Sequence, residues 1–145
     1  TAQHVEFMVY DGLHFLVFPN PFDLILSVGV LQIMKGELLK NTLSNLAQYL
    51  KKDGKLSLIE QASDHPKMDR PNIKEYLDAF KESKLECLQQ YPIRNGRWWM
   101  LYLIRYGLIP QKWFSKIAVW EINKNRKKED KILYYKDYLF LLKRP

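Results

Sequence analysis

A single cysteine, Cys87, occurs in this 145-residue chain, so no internal disulfide can form and a reducing, cytoplasmic setting is expected. Three histidines, His4, His14 and His65, share no metal-ligand spacing with each other or with Cys87, and no metal site is expected. Neither a Gly-x-Ser-x-Gly turn nor a phosphate-binding glycine loop is present. The longest apolar stretch, Trp98 to Ile109, is too short to cross a bilayer and carries Arg105. A basic segment followed by an apolar one is absent from the N-terminus, so no signal peptide is expected there. The chain begins at Thr1 and soon enters a strand-like run, which reads as a piece of something longer. No internal repeat or low-complexity tract occurs.

What is present suits one globular α/β domain spanning residues 1–145, with 47% hydrophobic and 27% charged residues. The net charge of +7 is uneven. Residues 1–34 lack lysine and arginine, whereas residues 94–145 hold 13 basic and 4 acidic side chains. A basic C-terminal third could meet phosphate, anionic lipid or a charged substrate, or could be a solvated surface.

Hydrophobic patterning supplies the elements. Val5 to Tyr10 is a short strand candidate closed by Asp11-Gly12, and Asp23 to Val28 is a second, closed by Gly29. Glu37 to Leu50 carries Leu39, Leu43, Leu46 and Leu50 at helical spacing. Lys51 and Lys52 suit the negative end of that helix, and Gly54 is expected to supply a left-handed turn before a strand over 55–60. Asn72 with Glu75 has capping-box spacing ahead of a helix whose Ile73, Leu77 and Phe80 face inward. Further strands are predicted near 85–91, ended by Pro92, and near 134–142. Between them, residues 96–125 hold all four tryptophans, and two helices split near Gly107 and Pro110 are predicted. Lys124 to Lys131 reads as a charged turn. Continuous apolar strands joined by a crossover helix predict a parallel sheet covered on both faces, with ligands beyond the carboxyl ends of its strands. That rule points to Ser27–Gln32 and Glu60–His65.

The order of these segments resembles the class I S-adenosylmethionine-dependent methyltransferases. Asp11-Gly12, an apolar-Pro segment and Phe22-Asp23-Leu24-Ile25-Leu26-Ser27 are similar to that family's "D-x-x-x-L-P…FDLI" run. Leu46 to Gly54, followed by Lys55-Leu56-Ser57-Leu58-Ile59-Glu60, is similar to its "L…L-K-P-G-G-x-l-x-i-x-E" segment. The resemblance covers residues 5–61, and 138–143 more loosely. It implies a Rossmann-like, three-layer αβα sheet with a helical insertion before an antiparallel last strand. The glycine-rich loop and acidic strand end of the family's N-terminal half are missing, so the sheet is incomplete and its exposed edge calls for that half, or for self-association.

The same resemblance implies S-adenosylmethionine as cofactor. Asp11 would accept from the adenine amino group, Gly12 would approach the ring, and Ser27, Val28 and Gly29 would line the methionine and sulfonium portion. Gln32 stands where many relatives carry histidine and cannot act as a base at neutral pH. His65, Asp64 and Glu60 remain as candidates for acid–base work, with His65 best matched to physiological pH. Gln32, Glu60, Trp98 and Trp99 would meet the acceptor. The implied activity is methyl transfer to a small-molecule, sugar or lipid-linked acceptor. The alternative is a non-catalytic methyltransferase-like module that binds through the basic aromatic segment. That segment could roof an acceptor pocket, touch a membrane interface or stack nucleobases, the last being disfavoured.

Overall fold

The computed structural model describes residues 20–95, 99–127 and 135–145. The strand predicted over 5–11, together with Asp11, Gly12 and Trp98, lies outside them, as do residues 128–131 of the charged turn. In chain order the elements are β1 (Phe22–Val28), α1 (Gly36–Gln48), β2 (Leu50–Ala62), α2 (Ile73–Glu82), β3 (Glu86–Asn95), α3 (Met100–Arg105), α4 (Phe114–Lys127) and β4 (Lys136–Lys143). Single 3-10 turns, Leu31–Ile33 and Gln111–Trp113, precede α1 and α4.

The four strands form one mixed sheet in the order β1-β2-β4-β3. β1 runs parallel to β2, with Ser27 opposite Leu58 and Val28 opposite Ile59. β4 lies between β2 and β3 and is antiparallel to both. The expected antiparallel last strand is therefore present, inserted beside β2 rather than at an edge. Among the described residues, β1 has no partner on its outer side.

One face of this sheet carries the core. Alternate residues Leu56 and Leu58 of β2, and Phe140 and Leu142 of β4, are fully buried against Leu39 and Leu43 of α1 and Tyr76 and Phe80 of α2. Phe80 meets Phe140 edge-on at 5.2 Å between ring centroids, and Tyr76 lies 5.3 Å from Phe140. The leucine stripe of α1 thus faces the core as predicted, and the Asn72–Glu75 capping box closes reciprocally at 2.9 and 2.7 Å. On the opposite face α4 packs near β3, where the Arg126 guanidinium sits 3.9 Å from the Tyr91 ring centroid.

Several local expectations are corrected. The first helix ends at Gln48, and Leu50, assigned to its stripe, is the buried first residue of β2. The left-handed residue is Asp53 (φ 64°), not Gly54. Glycine is needed at 54 for another reason: a Cβ there would lie 2.8 Å from the Lys51 carbonyl oxygen and 3.0 Å from that of Phe22. Pro92 does not end β3, because an edge strand tolerates proline where its register shifts between Pro92 and Arg94. The charged segment from Lys124 continues α4 as far as Lys127 instead of turning. The split between the two insertion helices falls as predicted, with Gly107 at φ +71° and Pro110 opening the next 3-10 turn. No described helix is long and apolar enough to cross a membrane.

Candidate functional site

Because β1 and β2 are parallel, their carboxyl ends share one rim. At that rim the chain leaves β1 through Gly29, whose φ of +69° suits glycine, and whose N–H donates to the Ile59 carbonyl at 2.9 Å. The turn is held from below by Glu60. Its Oε1 accepts from the Ser27 hydroxyl at 3.1 Å and from Val30 N–H at 3.2 Å, and its Oε2 accepts from Gln32 N–H at 3.0 Å. Glu60 is 1% exposed, and burial pushes its carboxyl above the ordinary range despite these donors. A residue expected against the acceptor therefore has its carboxylate committed to positioning the Ser27–Gln32 turn.

Gln32 sits beside Gly29, its Nε2 3.5 Å from where a Cβ at Gly29 would be, and its Oε1 is buried with no hydrogen-bond partner among the described residues. Ser27, Val28, Gly29 and Gln32 are thus brought together at one rim. His65 is not among the residues lining the cavity described next. Its Nδ1 accepts the Lys67 N–H at 3.2 Å, and its own N–H donates to the Ser63 hydroxyl, so the ring is part of a turn. Asp64 is exposed on the same loop. Trp99 is 60% exposed at the start of α3.

Beside the rim, a cavity of about 470 Å³ opens between Val28 and Ile59 of the sheet and the two insertion helices, α3 and α4. Its walls include Ile93, Leu101, Ile104 and Phe114, with three charged groups, Arg94, Glu121 and Asp137. Arg94 forms an ion pair with Asp137 across the β3–β4 ladder. Glu121 is pushed up to about 7, first by burial and further by Asp137, against the opposing pull of Arg94, the Asn95 N–H and Lys124. Sequence reasoning missed all three residues. One signal was available: Glu121 is the lone acidic residue between positions 96 and 127.

An open α/β sheet of this order, with a sharp glycine turn at the rim and a helical insertion before an antiparallel strand, has a fold found in part of class I methyltransferase structures. No protein-family model matches the chain, and no curated protein matches it in sequence. Solved structures do match it. The N-methyltransferase NodS from Bradyrhizobium japonicum, in complex with S-adenosyl-L-homocysteine, superposes with TM-score 0.60 at 15% identity. That match covers 99% of this chain and 56% of NodS. The geranyl diphosphate C-methyltransferase from Streptomyces coelicolor matches with TM-score 0.59 at 13% identity, over 95% of this chain and 53% of that one. The cyclase SpnF matches with TM-score 0.63 at 13% identity, over 97% and 56%. The chain thus spans little more than half the length of these three structures, and at such identities the likeness is one of fold.

Proposed function

We propose that this chain is the acceptor-side part of an S-adenosylmethionine-dependent methyltransferase acting on a small-molecule, sugar or lipid-linked acceptor. One observation carries the reading: the glycine turn at the rim, clamped by Glu60, stands next to an apolar cavity roofed by the insertion. S-adenosylmethionine, when bound, supplies an electrophilic methyl on a sulfonium that is already a good leaving group. The protein's contribution is then alignment, which can be worth roughly 7–11 kcal/mol of barrier.

The residues present fit such a cofactor. The Ser27–Gly29 backbone would lie against it, the left-handed Gly29 permitting close approach, and the buried Gln32 Oε1, without a partner among the described residues, would accept one of its donors. Asp11 and Gly12 would hold the adenine, as the sequence resemblance implies. Val28, Ile59 and the faces of α3 and α4 would hold the acceptor and exclude water. The side of β1 that has no partner among the described residues supports a further expectation, that the family's N-terminal half or a second copy completes the sheet. A cytoplasmic setting is in keeping with the lone thiol of Cys87.

Calorimetric titration of S-adenosyl-L-homocysteine into the intact protein tests the proposal. Micromolar binding that weakens at least tenfold in Gly29→Val is expected. Absence of binding heat, or binding indifferent to Gly29→Val, overturns it. One observation favours the second reading, a module that does not transfer methyl groups: Trp99, Tyr102, Tyr106 and Trp113 are exposed beside Arg105 and Lys112. SpnF, named a cyclase, shows that the fold does not dictate the chemistry. Contact of this patch with a membrane surface belongs to that reading, and vesicle co-sedimentation would detect it.

A further inference from the structure

Two carboxylates from separate elements share one guanidinium at the wall of the apolar cavity. Asp137 on β4 is 5% exposed and paired with Arg94 of β3 through Oδ2, while Glu121 on α4 is 8% exposed. Asp137 Oδ1 and Glu121 Oε1 are both buried with no hydrogen-bond partner among the described residues. The Asn95 N–H donates to the Glu121 carboxyl, but the neighbouring side-chain amides are engaged elsewhere. Asn95 Nδ2 donates to Asn125 Oδ1 at 3.0 Å, and Asn125 Nδ2 donates to the Ile93 carbonyl at 3.3 Å. Lys124, on the same helix as Glu121, lies with its Nζ 5.0 Å from the Trp120 ring centroid. Among the described residues, two ionised carboxylates against one guanidinium leave a surplus negative charge, and buried charges require pairing.

We propose that this cavity binds an amine-bearing apolar molecule, its ammonium donating to Glu121 and Asp137 and its hydrocarbon body lying against Ile93, Leu101, Ile104 and Phe114. This rests on reading the cavity as the acceptor site, and it makes the acceptor an amine. An ammonium brings three donors to two orphaned acceptors and one positive charge to an uncompensated negative one. An alcohol of the same shape brings one donor and no charge, and a carboxylate adds a like charge. The ionisation of Glu121, set first by burial and then by Arg94 and the Asn95 N–H from β3, Asp137 from β4 and Lys124 on its own helix, governs the strength of the contact.

The test uses phenethylamine and its isostere 2-phenylethanol, titrated by nuclear magnetic resonance into the intact protein without cofactor. The amine is expected to bind at least tenfold tighter than the alcohol, with affinity rising as pH passes through about 7. Glu121→Gln should bring the amine down to the level of the alcohol while leaving the alcohol unchanged. Ile117→Trp, which fills the cavity from α4, should abolish both. Equal affinities, no amine binding, or an amine preference that survives Glu121→Gln overturns the inference. Because the amine is measured without cofactor, amine binding without homocysteine-ligand binding would retain the site and remove the transferase reading. The converse result would do the reverse.

Discussion

The two faces of the sheet were built differently from the same kind of strand. On the face toward α1 and α2, Leu56, Leu58, Phe140 and Leu142 are completely buried. On the other, Leu24, Leu26 and Val28 of β1 are 59%, 63% and 57% exposed, although Phe22–Val28 is apolar except at Asp23 and Ser27. A strand that faces water on one side alternates apolar with polar residues, whereas one covered on both sides does not. β1 therefore has the sequence of a doubly covered strand and, among the described residues, the cover for one face. α4 supplies part of the second layer near β3, and the cavity with Glu121 and Asp137 lies between that partial cover and the rim. The closed face holds the fold together, and the half-closed face leaves room for a ligand.

The sharpest way to break this contrast is truncation on the closed face. Phe140→Ala, which removes a ring packed against Tyr76, Phe80 and Tyr138, should cost about 3–5 kcal/mol in urea unfolding. A cost below about 1 kcal/mol would mean that the core is not where the packing puts it. At the rim, Glu60→Ala leaves the Val30 and Gln32 N–H groups without their acceptor. It should cost about 1–3 kcal/mol, with faster hydrogen exchange at those two amides. Unchanged exchange would dissociate Glu60 from the turn. Gly29→Ala, which places a side chain at a left-handed position, should cost about 1–2 kcal/mol by the same unfolding measurement.

The half-closed face makes a pH prediction. Glu121 is raised in the folded state from 4.5 to about 7, so the folded protein binds this proton more tightly than the unfolded chain. Its contribution is fully present below about 4.5 and is lost as pH rises through about 7. Glu121→Gln should flatten the decline in stability across that window, and identical pH profiles for the two proteins would refute the assignment. The smallest effect belongs to β1: Leu26→Ser, on an already exposed position, should change stability by no more than about 0.5 kcal/mol. A loss comparable to that of Phe140→Ala would reveal that this face is covered in solution.

Local signals in the sequence were read where short-range chemistry decides the outcome. The Asn72–Glu75 box, the α1 stripe of Leu39, Leu43 and Leu46 and the glycine that closes β1 each depend on residues a few positions apart, and each formed as expected. Misreadings arose where backbone geometry and sheet position compete. Asp53 takes the left-handed turn because its neighbour Gly54 is required for a close approach to Phe22 and Lys51. Pro92 survives inside β3 because β3 is an edge strand, a fact of sheet order that the proline itself does not encode.

By itself, then, the sequence determined the kinds of element among the described residues, their order and the glycine turn that ends β1, since periodicity and turn chemistry act over a few residues. Only the tertiary structure decided that Glu60 clamps the Gly29 turn, and that Arg94, Glu121 and Asp137 meet around one cavity. Those groups come from strands and a helix far apart along the chain. Their proximity follows from β4 inserting antiparallel between β2 and β3 and from α4 folding back over the sheet, which no local pattern specifies.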